Sequence, residues 1–146
     1  MPKVLIDTNV VSAIIARNPV VLRHAADYRR GGAKFIMAPI VYYEYRRGIL
    51  ERGRDRDGRA QTFDRFVIAE CEWADQDRAV SQRASWVWSR YPGQRVPDAD
   101  TLIAGTALHH RLSVATRNRR HLERFGVPVV DWFQERAPRV RTRAIR

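Results

Sequence analysis

The sequence predicts an α/β domain built on a mainly parallel sheet, and three observations carry that expectation. Short runs of branched, wholly apolar residues, Val4-Leu5-Ile6 foremost, suit strands buried on both faces, as in parallel sheets covered by helices. Between such runs lie longer stretches whose apolar residues recur at helical spacing, so that strands and helices alternate. A length of 146 residues fits one domain, large enough to bury about two thirds of its unfolded surface without disulfide or metal staples.

The first strand is expected to stop at Asp7, with Thr8 and Asn9 as capping residues for a helix through Val10 to Ala16. Asn18-Pro19 then reads as the cap and first position of a second helix, which Gly31-Gly32 stops. Val20, Val21, His24 and Tyr28 line one face of it, and His24 is read as a partly buried packing residue because no second metal-binding residue stands three or four positions away. Lys34 to Ala38 is a second strand, and Pro39 opens a helix to about Arg52. On that helix Glu44 shares a side with Ile40, Val41 and Gly48, not with the solvated Arg46, Arg47 and Glu51. A carboxylate there is costly unless something compensates it, and pairing with a neighbouring arginine is the structural alternative to a functional role.

Gly53 to Gly58 reads as a turn or loop, and Ala60 to Ala69 as an amphipathic helix with Phe63, Phe66 and Val67 on its apolar face. Cys71 to Ala74 is a short strand. Asp75 or Asp77 caps the next helix, whose apolar face is Ala79, Val80, Ala84, Val87 and Trp88; Trp86 and Trp88 cannot both point inward. The tryptophans are assigned to core and helix packing in preference to base stacking. Tyr91-Pro92-Gly93 ends that helix. Another starts at Val96 to Asp100, with Asp98 as the expected cap and Asp100 at the head of a buried stripe of Ile103, Ala104, Ala107 and Leu108. Ala104, Gly105 and Ala107 are expected to let this helix approach the sheet closely, and His109 and His110 to lie on the surface. Leu112 to Thr116 is a strand, Arg117-Asn118 its polar elbow with Asn118 capping a short helix, and Gly126 to Trp132 a last edge strand. Ala137 to Arg146 has little to bury and reads as a basic, mobile tail.

The 27 basic residues outnumber the 16 acidic ones, for a formal charge of +11, which attracts polyanions and makes nucleic acid the expected partner class. Only Lys3 and Lys34 are lysines; the rest are arginines, whose planar fork pairs with phosphate and stacks on bases. The single cysteine, Cys71, excludes an intramolecular disulfide and a thiolate zinc cluster and suggests a reducing cytoplasm. No signal-like segment opens the chain, and no apolar run approaches the ~20 residues that span a bilayer, so a soluble protein with no membrane partner is expected.

Right-handed crossovers bring all strand ends of one polarity to one edge of a parallel sheet, where ligands bind. Asp7 and Asn118 follow strands, and Glu44 and Asp100 are expected in the first turns of helices entered from the same edge. Asp7 alone could be no more than a cap or turn acid. Carboxylates within a few ångströms of one another, however, cannot all stay ionised without a cation. Oxygen-only ligands favour Mg2+ or Mn2+ over zinc, and such an ion can polarise a phosphoryl oxygen and generate hydroxide. On a basic chain the expected substrate is a phosphodiester.

Four segments, LIDTNVVSAII, the acid of APIVYYEYRRG, DTLIAGTAL and ATRNRRHLERFGVPVVDW, resemble PIN-domain ribonucleases, most closely the VapC-type toxins of toxin-antitoxin pairs. No one segment is specific alone; four in order, from about residue 3 to residue 133, carry the resemblance. It implies an Mg2+-dependent RNA endonuclease, with Mn2+ as substitute, of three-layer α/β/α fold, commonly a homodimer neutralised by a cognate antitoxin. It further implies a nuclease domain over 1–133 and a basic tail over 134–146. Asp7, Glu44 and Asp100 match the family acids, with Asp7 and Asp100 as metal ligands. Asn118 stands at the fourth position, which is often Asp, and so removes one negative charge from the catalytic set. Thr8 and Thr116 match hydroxyl positions near the site, and Arg117 is placed to hold the RNA strand.

Other classes fit less well. A haloacid dehalogenase-type phosphatase needs a second Asp where Asn9 stands, and a receiver domain wants paired early acids and a late lysine, whereas no lysine follows Lys34. A catalytically inactive PIN-like module that binds RNA or protein is the remaining alternative.

Overall fold

The computed structural model describes residues 3–51, 58–92 and 95–135. It contains a five-stranded sheet in the order β3-β2-β1-β4-β5, formed by β1 (Val4–Ile6), β2 (Phe35–Met37), β3 (Cys71–Trp73), β4 (Ser113–Ala115) and β5 (Val129–Val130). Every pairing is parallel, in registers such as Leu5 with Ile36 and Leu5 with Val114. Helices α1 (Thr8–Ile15) and α2 (Pro19–Arg29) connect β1 to β2, and α3 (Pro39–Glu51) and α4 (Arg59–Glu70) connect β2 to β3. The chain then returns across the sheet through α5 (Arg78–Ser89) and α6 (Asp98–His110) to β4, and reaches β5 through α7 (Arg119–Glu123). The strand order therefore reverses between β1 and β4, the switch point where open α/β sheets form their ligand crevice. The α/β expectation holds, with β1, β2 and β4 buried on both faces as their apolar composition requires.

Local chemistry fixes most boundaries. Asn18 Oδ1 accepts the Val20 and Val21 amides at 3.0 and 3.2 Å, with Pro19 first in α2, and Asp77 Oδ1 accepts the Val80 amide at 3.1 Å. Two caps differ from expectation. Asp7, not Thr8 or Asn9, caps α1: its backbone is extended, its carboxylate accepts the Thr8 amide and its carbonyl the amides of Val10 and Val11. Asp98 is not a cap either; α6 begins on it after Pro97, and no side chain caps this helix. Asn118 does hold the cap position of α7, without a side-chain capping bond. The loop expected from Gly53 to Asp57, Gly93 and the tail from residue 136 onward lie outside the described residues.

The core runs through both faces of the sheet, from Phe63 and Val41 to Ile103 and Leu122. Cys71 is buried in it, and desolvation pushes its thiol up to about 12, so it packs as an inert small residue. Gly105 serves a different contact from the one expected: a Cβ there would meet Ala84 N at 2.8 Å and Ala84 Cβ at 2.9 Å, so the close approach is of α6 to α5, not to the sheet. The tryptophan assignment is also corrected. Trp132 is buried against Tyr28 and Phe35, but Trp73, Trp86 and Trp88 are 53%, 49% and 54% exposed. On α5 the apolar stripe Val80, Ala84 and Val87 fills the inward face, leaving both helix tryptophans outside it, with the Arg83 and Arg90 guanidinium groups over Trp86.

Candidate functional site

The polar elbows that follow β1 and β4 meet at one hydroxyl. Thr116, fully buried just beyond β4, donates to Asp7 Oδ2 at 2.7 Å, while Asp7 Oδ1 accepts the Thr8 amide at 2.7 Å. The same hydroxyl accepts from the Asn118 amide at 3.0 Å and from Asn9 Nδ2 at 3.4 Å, and Asn9 Oδ1 accepts the Arg117 amide at 3.1 Å. The two polar elbows are thus tied to each other, and Asp7, only 6% exposed, is fixed in one orientation. Burial raises its pKa above the ordinary 3.8, partly opposed by the Thr116 and Thr8 bonds and reinforced by the Asp100 charge.

Glu44 reaches this centre from the second turn of α3, one turn later than expected, with Thr8 Oγ1 at 3.5 Å from its Oε1. Desolvation raises its pKa above 4.5, followed by repulsion from Asp7; Arg47 opposes this, and Asp100 adds to it. Among the described residues no arginine forms an ion pair with it, and Arg46 pairs with Asp64 instead. Asp100, in the first turn of α6, has His121 Nδ1 at 3.3 Å from its Oδ2. Asp7, Glu44 and Asp100 therefore sit within electrostatic reach of one another. Among the described residues no three His, Cys, Asp or Glu stand close enough together to hold a metal ion among them.

The remaining expected residues fall in place unevenly. Arg117 is beside the crevice, its guanidinium stacked 4.0 Å from the Phe133 ring centroid. Asn118 contributes its backbone amide to the Thr116 knot, while its residue surface is exposed. Asp98 is exposed and lines a groove with Ser81, Trp88 and Thr101 between α5 and α6. His109 is exposed and His110 bonds the Asp75 carbonyl, both away from the acids. Two participants were not foreseen. His121 belongs to a different helix from its acid, and Asn9 looks like an ordinary helix-start residue; its position one elbow away from Thr116 becomes informative only once β1 and β4 are known to be neighbours.

A parallel α/β sheet that gathers three carboxylates at its switch point, on a strongly basic chain, defines a class of domain suited to cation-assisted chemistry on phosphate. The sequence from residue 4 to 127 matches the PIN domain, and the chain belongs to that family, whose members are generally nucleases. No curated protein matches it. Its structure is similar to a chain of the DNA-bound VapBC from Salmonella typhimurium, with 24% identity and a TM-score of 0.74 over 90% of this chain and 99% of that one. A chain of FitAcB from Neisseria gonorrhoeae gives 22%, 0.69, 90% and 99%, and one of a toxin-antitoxin complex from Klebsiella pneumoniae gives 18%, 0.67, 92% and 100%. At these identities the likeness is one of fold. Among the described residues no helix is long and apolar enough to cross a membrane.

Proposed function

We propose that this chain is a metal-dependent endoribonuclease that hydrolyses RNA phosphodiester bonds in the cytoplasm, as the toxin of a toxin-antitoxin pair. The observation that carries the reading is the carboxylate set Asp7, Glu44 and Asp100 around the β1–β4 crevice, with Asp7 locked by Thr116. Asp7 and Asp100 would hold Mg2+, or Mn2+ in its place. The ion supplies positive charge that polarises a phosphoryl oxygen and makes nearby water more acidic. Thr116 keeps Asp7 pointed into the crevice, and the elevated proton affinity of Glu44 suits it to accept a proton from the attacking water. Arg117 and the arginines of residues 134–146 hold the RNA strand by its phosphates, with Thr8 and Asn118 flanking it. An antitoxin partner is supported by the similar chains in complexes described as VapBC and toxin-antitoxin. A homodimer follows from the family resemblance.

The test is cleavage of a total small-RNA pool by purified protein in Mg2+, Mn2+ or chelator, beside Asp100→Asn. Discrete fragments that require both the ion and Asp100 are expected. RNA binding without cleavage, unchanged by chelator, would replace this reading with that of an inactive binding module.

A further inference from the structure

Gly48 stands inside α3, one turn beyond Glu44, where glycine is disfavoured and nothing among the described residues requires it. Its backbone is ordinary helix, and a Cβ built there meets nothing within 4 Å, in contrast to Gly105, which Ala84 explains. What it borders is a cleft of about 250 Å³ walled by Thr8, Ser12, Glu44, Tyr45 and Arg59. Thr8 and Glu44 belong to the acid centre, so the cleft opens directly from the place where the phosphodiester is to be cut. Tyr45 forms a half-buried aromatic wall, its ring 4.5 Å from that of Phe63, with Ser12 beside it. The Arg59 guanidinium adds positive charge at the same wall.

We propose that this cleft receives the nucleobase next to the scissile phosphodiester, and that Gly48 keeps it open and thereby sets the base preference of cleavage. The inference rests on the nuclease reading and deepens it. The volume admits one flat base and little more. A tyrosine face, two hydroxyls and a guanidinium are the groups that recognise an unstacked base by its edge and hold the phosphate attached to it. Helix stability favours alanine at this position, so a side chain is absent from the cleft wall at a cost to folding that no contact among the described residues offsets.

Full-length wild type, Gly48→Ala, Gly48→Val and Asp100→Asn are incubated with a random-sequence single-stranded RNA library in Mg2+, cut ends are sequenced, and melting temperatures are measured in parallel. Wild type is expected to show a base preference at one nucleotide flanking the cut. Gly48→Ala should melt higher than wild type while cutting its preferred sites less well. Gly48→Val should reduce that preference by about tenfold or more at that position alone, the scale on which added methyl groups in a pocket discriminate. A wild-type profile that is flat at both flanking nucleotides, or one that both Gly48 variants reproduce at wild-type rate, overturns the inference; the cleft is then empty space or the seat of a protein side chain. Failure of the nuclease reading looks different, because wild type itself then cuts nothing or cuts no better than Asp100→Asn.

Discussion

Replacing Thr116 with valine removes one hydroxyl and nearly no volume, and the structure sets the expected loss. The bond to the Asp7 carboxylate is charge-assisted and worth about 1.5 to 3 kcal/mol; the bond from the Asn118 amide adds about 0.5 to 1.5 kcal/mol. The Asn9 contact, at 3.4 Å, is long enough to add little. Above the pKa of Asp7 the variant should therefore be less stable by about 2 to 4.5 kcal/mol. The loss depends on pH with a definite sign. Burial raises the pKa of Asp7 from 3.8, so Asp7 favours the fold below its ordinary pKa, and that contribution is lost as pH rises through the folded value. Removing the Thr116 bond raises the folded value further, so the deficit of Thr116→Val is largest where Asp7 is ionised and shrinks as pH falls toward 3.8. The assay is urea unfolding over a pH series, in chelator, of wild type, Thr116→Val and Thr116→Ser. Serine keeps the hydroxyl and loses a buried methyl group, at about 1 kcal/mol and with no pH dependence. A valine variant within about 0.5 kcal/mol of wild type, or one whose deficit is the same at every pH, refutes the role given to this bond.

Gly105→Ala drives a methyl group into the Ala84 backbone and should cost about 1 to 3 kcal/mol despite better helix propensity; an unlowered melting temperature would show that α5 and α6 are not in close contact. Glu44→Gln removes a group whose raised pKa destabilises the fold above that value, so in chelator it should melt higher than wild type near neutral pH and lose the advantage as pH falls toward 4.5. A melting gain that persists in acid would mean Glu44 acts otherwise. Saturating Mg2+ should raise the melting temperature of wild type by mass action, by the equivalent of about 2.7 kcal/mol at a hundredfold excess over Kd. Asp100→Asn should respond far less, and an equal response would remove Asp100 from the ion site.

What could be read from sequence is what neighbouring residues decide among themselves. Asn18-Pro19 and Asp77 cap their helices by bonds to amides two or three residues away, and Val4-Leu5-Ile6 announces a strand buried on both faces. The acids Asp7, Glu44 and Asp100 were legible because a parallel sheet constrains where strand ends must go. What sequence could not supply depends on distant surfaces. Trp86 and Trp88 stay outside because Val80, Ala84 and Val87 already fill the α5 stripe, and the reason for Gly105 lies in another helix. His121 meets Asp100 only through the packing of α7 beside α6.

The Thr116 knot joins residues 109 positions apart, and β1, the central strand, lacks its neighbour β4 until most of the chain exists. During synthesis the first acid leaves the ribosome early, with only the neighbouring Thr8 amide to hold it until residues 113 to 118 emerge. The hold that Thr116 has on Asp7 is therefore a product of tertiary closure, set in place only when β4 docks beside β1.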